Sequence, residues 1–514
     1  MKFNKRSFLI LITLLVYNIS IRAAVPVESP RNLISPPNSS TPTSVTLLWD
    51  KPLNYNRIQK YEVYLNGKKI AQSLKTNYTA RGLKPNTKYR FSISSVDENG
   101  TSSKTTNELT INTRQISKVY NILDYGARAD DTDLDTKAVQ KAIDACNVGG
   151  TVLVPKGKYV IGAIFLKSNM TLLIDKGGEL KASTALNDYL PMVKNRFEGW
   201  ELDTYASLIN AGKLDRNPVY NIENIAIRGE GKITGGSSKL GDAMIEAKGI
   251  RSRGRLICIM NAKNVNVQGL TLQDSHCWTL HYIYSNNVTC HDLDIKSTAR
   301  NGDGIDPDSS TDSYIFNSTF STADDCIAIK SGKNPEGNIV ARPTVNVHIS
   351  DCKFVKGFGL AIGSEMSGGV KNVSIRDCEV GNLKEGIQIK SRKDRGGYVE
   401  NVYVSDCDLL RIKIETTVAY NSDGDAAPAL PHFRNLVFSN MNMSKAKANG
   451  TPISVDGFAD IKHYTSNVTF KNVVLPLNAA VALNYCKDIK FENVLTVDHK
   501  APVYKITNSE NIQK

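Results

Sequence analysis

The feature that most constrains this 514-residue chain is a phrase that recurs along its C-terminal half. Each copy begins with Asn or Asp and continues with alternating β-branched and polar residues, and most copies are 21 to 34 residues apart. Strand repeats of this length, with hardly any helical pattern between them, predict a solenoid whose coils bury Val, Ile, Leu and Cys inward. We therefore expect a right-handed parallel β-helix. The copies begin at Asn264, Asn287, Asp312, Asn346, Asn372, Asn401, Asn435, Asn467 and Asp488.

One segment ahead of the repeats has helical periodicity, and we find no other convincing amphipathic helix after residue 120. A solenoid exposes the edges of its sheets at its first coil, and such edges are usually covered. The segment Thr136–Cys146 is therefore expected to form a helix that caps this end. Its apolar residues recur at helical spacing; they are Ala138, Val139, Ala142 and Ile143.

The amino terminus is typical of an export signal, which predicts a periplasmic or secreted protein. Basic residues precede an apolar run from Ser7 to Tyr17, and small residues at Ala23 and Ala24 follow it. The run is too short to span a bilayer, and no later stretch reaches transmembrane length. We therefore assign residues 1–24 to a removed signal peptide.

Residues 25–115 are predicted to form a small antiparallel β-sandwich. Short alternating runs such as Ser44–Trp49 and Tyr61–Leu65 are separated by turn residues, including Asn66-Gly67. The Leu83-x-Pro85-x-Thr87-x-Tyr89 pattern resembles the tyrosine corner of fibronectin type III domains, and Trp49 matches their core tryptophan. Such modules are usually spacers or docking surfaces, so the active site is expected in residues 116–514.

Nine cysteines lie beyond residue 145, an odd number that leaves at least one thiol unpaired. Cys352, Cys378 and Cys407 each follow an Asp in the same local frame, which favours small apolar residues stacked in a core over a disulfide framework. There is no CxxC or His-x-His spacing, so we predict neither a metal site nor a cofactor. The formal charge of +13 permits an anionic partner but does not select one.

Two acidic groups are separated by one short coil. Asp324 and Asp325 follow Asp303 by 21 and 22 residues, and Asp306 is close by in sequence. Neighbouring strands of a sheet are about 4.8 Å apart, so the coil period brings these carboxylates together. Their mutual repulsion raises at least one pKa, which suits a glycoside hydrolase that needs one protonated acid and one carboxylate to activate water. Acidic turns that cap coils or bind a structural Ca²⁺ are the alternative.

The sequence around these acids resembles the polygalacturonases of glycoside hydrolase family 28. Its motifs are Asn301–Asp306 and Ala323–Gly332, which reads ADDCIAIKSG, and the likeness runs from about residue 120 to 440. Stretches at Arg196–Gly199, Gly363–Gly369 and Arg395–Tyr398 belong to it as well. The resemblance implies hydrolysis of α-galacturonosyl linkages in pectin by single displacement with inversion.

Residue roles follow from the same resemblance. Asp324 would protonate the glycosidic oxygen, and Asp303 and Asp325 would hold and deprotonate the water. The residues expected to bind the sugar are Asn301, Asp306, His281, Phe358, Gln388 and Lys390. For His281, a role in the core is as well supported as a role in a sugar subsite.

Two of these positions depart from the family pattern. Phe358 stands where Gly-His-Gly is usual, and Gln388 stands where Arg-Ile-Lys is usual. Phe cannot titrate or donate a hydrogen bond, and a neutral amide does not replace a guanidinium that grips a carboxylate. Lys390 remains as the cation of this motif. These changes leave rhamnogalacturonan, or another galacturonate linkage, open as the preferred substrate.

Two further alternatives remain open from the sequence, a pectate lyase and a non-catalytic pectin-binding β-helix protein. The expected partner is in each case an acidic plant cell-wall polysaccharide, with no nucleic-acid partner and no membrane-spanning segment. The sequence leaves the oligomeric state undetermined. The segment Asp188–Asn217 is long enough to close one end of a groove, which favours exo action.

Overall fold

The computed structural model describes residues 26–416 and 424–514, so the predicted signal peptide at 1–24 lies outside the described residues. Contacts between residues group the chain into two compact units. The first contains residues 49–78 and 89–110. The second contains residues 111–514, together with 34–48 and 79–88. No helix in the described ranges is long and apolar enough to cross a membrane.

Two small antiparallel sheets lie between residues 31 and 112, as the alternating runs predicted. Trp49 is buried and meets Tyr61 edge to face, with ring centroids 5.5 Å apart, which confirms it as a core residue. One sheet contains Arg31–Ile34, Ser44–Asp50 and Asn77–Arg81. The other contains Lys68–Ser73, Ile58–Leu65, Lys88–Asp97 and Leu109–Asn112.

The rest of the described chain is a parallel β-helix, which confirms the interpretation of the repeats. One wall is a 14-stranded sheet. Its strands are Val119–Asn121, Thr151–Val154, Met170–Ile174, Ile222–Gly229, Ala262–Gln268, Asn286–His291, Thr311–Phe316, Thr344–Ser350, Val370–Arg376, Tyr398–Ser405, His432–Asn442, Thr465–Leu475, Cys486–Thr496 and Glu510–Gln513.

The other two walls form an 18-stranded sheet, because they merge at the long strand Lys353–Ile362, which pairs with a strand of each wall. Its strands are Gly157–Ile161, Ile164–Leu166, Gly178–Ala182, Ile209–Ala211, Lys232–Thr234, Ile257–Met260, Thr271–Gln273, Leu280–Ile283, Asp294–Lys296, Ile305–Asp308, Thr319–Ser321, Ile327–Ile329, Lys353–Ile362, Glu379–Ser391, Ile412–Thr416, Ile453–Asp456, Ala480–Asn484 and Val503–Thr507.

The recurring Asn of the repeat forms a ladder along the 14-stranded wall. Each side-chain amide donates to the side-chain oxygen of the residue one coil earlier, at 2.8–3.1 Å, and each backbone is left-handed. Asn tolerates this conformation better than other non-Gly residues, because its short polar side chain can bond locally. The ladder therefore explains why the phrase begins with Asn or Asp. Its donors are Asn264, Asn287, Asn346, Asn372, Asn401, Asn435 and Asn467.

The cysteines behave as core residues. All nine are buried and unpaired, and the thiols of Cys352, Cys378 and Cys407 each donate to the carbonyl two residues earlier at 3.2–3.4 Å. This geometry confirms that they stack as small apolar side chains and do not form a disulfide framework.

The predicted helix is present as Thr136–Ala145, and its apolar side chains join the solenoid core. A second helix, Ser237–Lys248, was not predicted from the sequence. Its pattern is weak because Gly241 interrupts it, and Gly lowers helix propensity. That glycine is needed for packing, since a Cβ there would lie 2.4 Å from the carbonyl oxygen of His276. The remaining short helices are Ile122–Tyr125, Leu186–Tyr189, Ile250–Ser252, Glu336–Val340 and Ile461–His463.

Candidate active site

The predicted catalytic carboxylates meet on one wall of the solenoid. Strands Ile305–Asp308 and Ile327–Ile329 pair in parallel with Ile305 opposite Ile327, so the residues just before them are also adjacent. The amide of Gly304 donates to the carbonyl of Asp325 at 3.0 Å. This register brings Asp303 beside Asp325, with Asp324 next to them, as the coil spacing predicted.

Two lysines hold the acidic cluster together. The Nζ of Lys330 lies 3.4 Å from Oδ2 of Asp303, 3.5 Å from Oδ1 of Asp306 and 3.7 Å from Oε2 of Glu365. All four side chains are largely buried. A low-dielectric interior penalises unpaired charge, so an ammonium that bridges three carboxylates is what allows them to be packed together.

The second lysine comes from a later coil. Lys390 belongs to strand Glu379–Ser391, and its Nζ donates to Oδ2 of Asp325 at 3.2 Å. Asp303 and Asp325, the neighbours of Asp324, are thus each fixed by an ion pair with a lysine. Asp324 itself keeps some exposed surface.

The pKa values of Asp303, Asp306 and Asp324 are displaced upward. Burial raises the pKa of Asp324 above its usual range, and repulsion from Asp325 adds to the effect. Burial also raises the pKa of Asp303 well above its usual value, with Asp306 and Asp324 as further causes, and it raises the pKa of Asp306 to about 7. A carboxyl that keeps its proton near neutral pH can act as a general acid.

Asp303, Asp324 and Asp325 line a cavity of about 220 Å³, well below the about 300–1,000 Å³ of pockets for drug-sized ligands. Four cationic side chains contribute to its wall, namely Lys330, Lys333, Lys390 and Arg395. The other lining residues are Glu198, Trp278, Asn301, Asp303, Asp324, Asp325, Gly363, Ser364 and Glu365.

A hairpin closes the cavity on the side of the earlier coils. It is formed by Val193–Phe197 and Trp200–Thr204, within the long segment singled out in the sequence. Phe197 stacks on Trp278 with ring centroids 5.1 Å apart and planes within 9°, and the guanidinium of Arg255 lies 4.4 Å from the centroid of the Trp278 ring. These three side chains are almost fully buried, so the groove ends one coil before Asp303.

The hairpin is also tied to the opposite wall of the cavity. The carbonyl of Gly199 accepts from the amide of Lys333 at 3.0 Å, and the indole N–H of Trp200 donates to the carbonyl of Asn334 at 3.1 Å. Arg196 is fully buried and donates to Oδ1 of Asp308 at 2.8 Å. The closed end is therefore a fixed part of the structure.

Comparison with known proteins identifies the family of this chain. Residues 147–496 match the family model "Glycosyl hydrolases family 28", and residues 28–112 match the fibronectin type III domain. The chain belongs to glycosyl hydrolases family 28. The family assignment confirms the expected glycoside hydrolase and leaves no support for a lyase or for a non-catalytic solenoid.

Similar proteins of this family include exo-acting enzymes. An exo-poly-α-D-galacturonosidase of Dickeya chrysanthemi is 26% identical, over 96% of this chain and 94% of its own. The exopolygalacturonase of Thermotoga maritima is 27% identical with a TM-score of 0.65, over 74% of this chain and 92% of its own. The family 28 exopolygalacturonase of Yersinia enterocolitica shares the fold, with a TM-score of 0.86 over 94% of this chain and 99% of its own. Its sequence is 23% identical.

In this family 28 enzyme, three of the expected sugar-binding residues surround the acids. Asn301 and Lys390 line the cavity, and the side-chain oxygen of Asn301 accepts from Arg253 at 2.7 Å. Asp306 lies beneath the cavity with no exposed surface and contacts Lys330, so it is placed to act through the cluster and not to touch the sugar.

The position of His281 corrects the expectation of a sugar contact. Its ring is fully buried, with Nε2 3.4 Å from Oδ2 of Asp308 and the ring edge against Trp278. Burial lowers the pKa of His281 to about 4, so the ring is neutral at ordinary pH. Its full burial makes His281 a core residue.

The two departures from the family pattern lie beyond the cavity, toward the later coils. Phe358 is half-buried, and its amide donates to the carbonyl of Asp324 at 3.0 Å. Gln388 is largely buried and donates to Oε1 of Glu415. Neither side chain lines the cavity with the acids.

Sequence reasoning assigned no sugar-binding role to Glu198, Lys333 or Arg395, which all line the cavity. Glu198 and Arg395 fall within two stretches that carried the family resemblance, Arg196–Gly199 and Arg395–Tyr398. Their place in these stretches is the sequence signal that could have identified them as site residues. The described residues contain no group of three or more His, Cys, Asp or Glu that could hold a metal ion.

Proposed function

We propose that this enzyme is an exo-acting polygalacturonase that releases galacturonate from a chain end of pectin by a single displacement with inversion. The observation that carries the proposal is a cavity closed at one end, in which five acidic and four cationic side chains surround space for a small ligand. The N-terminal signal predicted from the sequence supports export to the periplasm or the medium, where such a polysaccharide is met.

The geometry supports a division of roles among the carboxylates. Asp324 has a raised pKa and some exposure, which suits a general acid that protonates the glycosidic oxygen. Asp325 is fixed by Lys390, and Asp303 is fixed by Lys330, so both can hold a water molecule in one orientation. In an inverting glycosidase the base removes a proton from this water as it attacks the sugar from the opposite face.

The cationic side chains of the cavity explain why the enzyme would bind an acidic sugar. A galacturonate unit in the cavity would bring a carboxylate into a site that already holds five acidic side chains. Lys330 and Lys390 pair with the catalytic acids, and Lys333 and Arg395 add two more cations to the wall, each at most 5% exposed. Charged hydrogen bonds to a carboxylate are the strong ones, so these two residues would select a uronate.

The closed end gives the reason for exo action. Because Phe197 and Trp278 fill the groove one coil before Asp303, a polymer cannot continue in that direction. A chain end therefore occupies the cavity, and the rest of the polymer leaves toward the coils of Phe358 and Gln388.

Product analysis on homogalacturonan tests the proposal. We expect monogalacturonate to be released from the start without intermediate oligomers, and proton NMR should show the β-anomer first, because inversion converts the α-linkage. Asp324→Asn serves as the inactive control. Early accumulation of mixed oligomers would contradict exo action, and unsaturated products would contradict hydrolysis.

A further inference from the structure

The wall that carries the acids continues past the closing hairpin into the earlier coils. Parallel pairing of successive strands places five residues in one row, namely Phe165, Asn210, Cys258, His281 and Asp306. Neighbouring strands are about 4.8 Å apart, so Phe165 lies four spacings, or roughly 19 Å, from Asp306. The wall of the catalytic site therefore extends well beyond the cavity that contains the acids.

The hairpin covers the middle of this row and leaves its early end open. The side-chain amide of Asn195 donates to Sγ of Cys258 at 3.5 Å, and Asn195, Cys258 and His281 are fully buried. Phe165, in contrast, is 41% exposed, although the residues on both sides of it in sequence belong to the core. An exposed aromatic ring thus lies on this wall, on the far side of the hairpin from the acids.

A cavity of about 700 Å³ opens beside the ring of Phe165. This volume is within the about 300–1,000 Å³ that is typical of ligand sites. Among the described residues that line the cavity there are three lysines and no Asp or Glu, and the acids that flank its loops, Asp215 and Glu223, are not part of the lining. The three lysines are Lys167, Lys194 and Lys213.

The loop that carries Lys213 is fixed against the wall. The amide of Lys213 donates to Oδ1 of Asn221 at 3.0 Å, and its carbonyl accepts from Nδ2 of the same side chain at 2.7 Å. Gly212 has a φ of +78°, and a Cβ at this position would overlap the carbonyl oxygen of Met260. This side of the cavity is therefore held in place by its own hydrogen bonds and packing.

The other two lysines have partners that leave their charge available. The Nζ of Lys167 donates to the backbone carbonyl of Asp144 at 2.6 Å, and a carbonyl has no net charge to neutralise the ammonium. Lys194 lies 3.1 Å from Asp203, but both side chains are more than half exposed, and water weakens such a surface pair. The cavity thus combines a positive charge with an exposed aromatic ring.

We propose that this cavity is a second binding site, which holds a stretch of acidic pectin away from the catalytic cavity. Each galacturonate unit has a carboxylate, which complements the three lysines, and its sugar ring can pack on the face of Phe165. Because the hairpin separates the two cavities, the bound stretch belongs to another chain or to a distant part of the same chain. The ligand class rests on the proposed pectin substrate, whereas exo action is not needed for it.

Such a site has a consequence for catalysis on the polymer. A chain held at one point raises the concentration of its neighbouring chain ends around the enzyme, as in any bivalent interaction. The effect requires a ligand long enough to reach both cavities, so short oligomers do not benefit from it. The site should therefore lower KM on polygalacturonate and leave kcat unchanged.

Binding is measured on the full-length Asp324→Asn variant, so that the ligand is not consumed. Titration calorimetry with tetragalacturonate should give two bound oligomers per protein, and adding Phe165→Ala with Lys213→Ala should leave one. Tyr403→Ala with Lys471→Ala is the matched control, because both side chains are more than half exposed on the 14-stranded wall, and it should leave two. A single bound oligomer before the double substitution, or two after it, would overturn the inference. Equally tight binding of fully methyl-esterified tetragalacturonate at the second site would overturn its acidic ligand class.

Kinetics on the otherwise wild-type enzyme provide the second measurement. Phe165→Ala with Lys213→Ala should raise KM on polygalacturonate about tenfold or more, with kcat and both constants on digalacturonate unchanged. If this variant does not fold, Lys213→Glu replaces it, since the Lys213 side chain is exposed and a reversed charge repels the polymer. An unchanged KM in a folded variant would overturn the inference. Exo action is judged separately by product analysis, so either conclusion can fail without the other.

Discussion

Lys390 and Asp325 are 65 residues apart in sequence, yet the Nζ of Lys390 lies 3.2 Å from Oδ2 of Asp325, with both side chains less than 10% exposed. The lysine comes from a strand two coils beyond the carboxylate. A cation of a later coil therefore fixes one of the acids that would hold the attacking water, so the position of this acid depends on the register of successive coils.

Replacement of Lys390 by Ala tests this dependence. Hydrogen bonds to charged groups contribute roughly 1.5–3 kcal/mol, so kcat/KM should fall about 10- to 150-fold. Because Asp325 also loses its partner, a large part of the loss should be in kcat. Lys471→Ala, at an exposed ion pair with Glu492, is the matched control and should leave both constants unchanged.

Replacement of Asp324 by Asn should abolish turnover without unfolding the protein. An amide cannot donate the proton that the leaving oxygen needs, and general acid catalysis contributes roughly 10²- to 10⁴-fold. The check is kcat together with a thermal melt. A variant that melts normally and keeps more than about a tenth of kcat would place the acid elsewhere.

The buried Asp306 should make stability depend on pH. Its pKa is raised from 3.8 to about 7, so between these values the folded state binds more protons than the unfolded state, and stability falls as pH rises. Asp306→Asn removes this titration. The melting temperature of the variant relative to wild type should therefore increase from pH 4 to pH 8, and a difference independent of pH would contradict the raised pKa.

The ion pair of Arg196 and Asp308 should anchor the hairpin that closes the cavity. Both side chains are at most 1% exposed, so Arg196→Met leaves a buried charge without its main partner, at a cost of about 3–5 kcal/mol. Urea unfolding measures the loss. Adding Asp308→Asn should restore part of it, whereas additive losses would show that the two groups are not coupled.

The asparagine ladder should contribute to the stability of the solenoid. Asn401 has a φ of +57° and donates to Asn372 while it accepts from Asn435. Asn401→Ala combines backbone strain with the loss of these bonds and should cost about 1–3 kcal/mol in urea unfolding. Asn401→Gly relieves the strain and should cost less, and equal losses would mean that the hydrogen bonds alone account for the effect.

The sequence by itself determined the architecture and the centre of the site. Residues in a solenoid meet their neighbours one coil away, so a fixed period converts sequence spacing directly into contact. For this reason the positions of Asp303, Asp324 and Asp325 could be predicted, as could the stacked cysteines. The sandwich was predictable because alternation and turn residues are local signals.

Only the tertiary structure decided how the site is enclosed. Whether Phe197 covers Trp278 depends on the path of a hairpin between two coils, and this path is fixed by distant partners such as Asp308 and Lys333. The same packing buries His281, which its sequence pattern left divided between core and subsite. Arg395 reaches the cavity by another such loop. Loops between coils differ in length and have no period, so no rule of spacing relates their residues to the site.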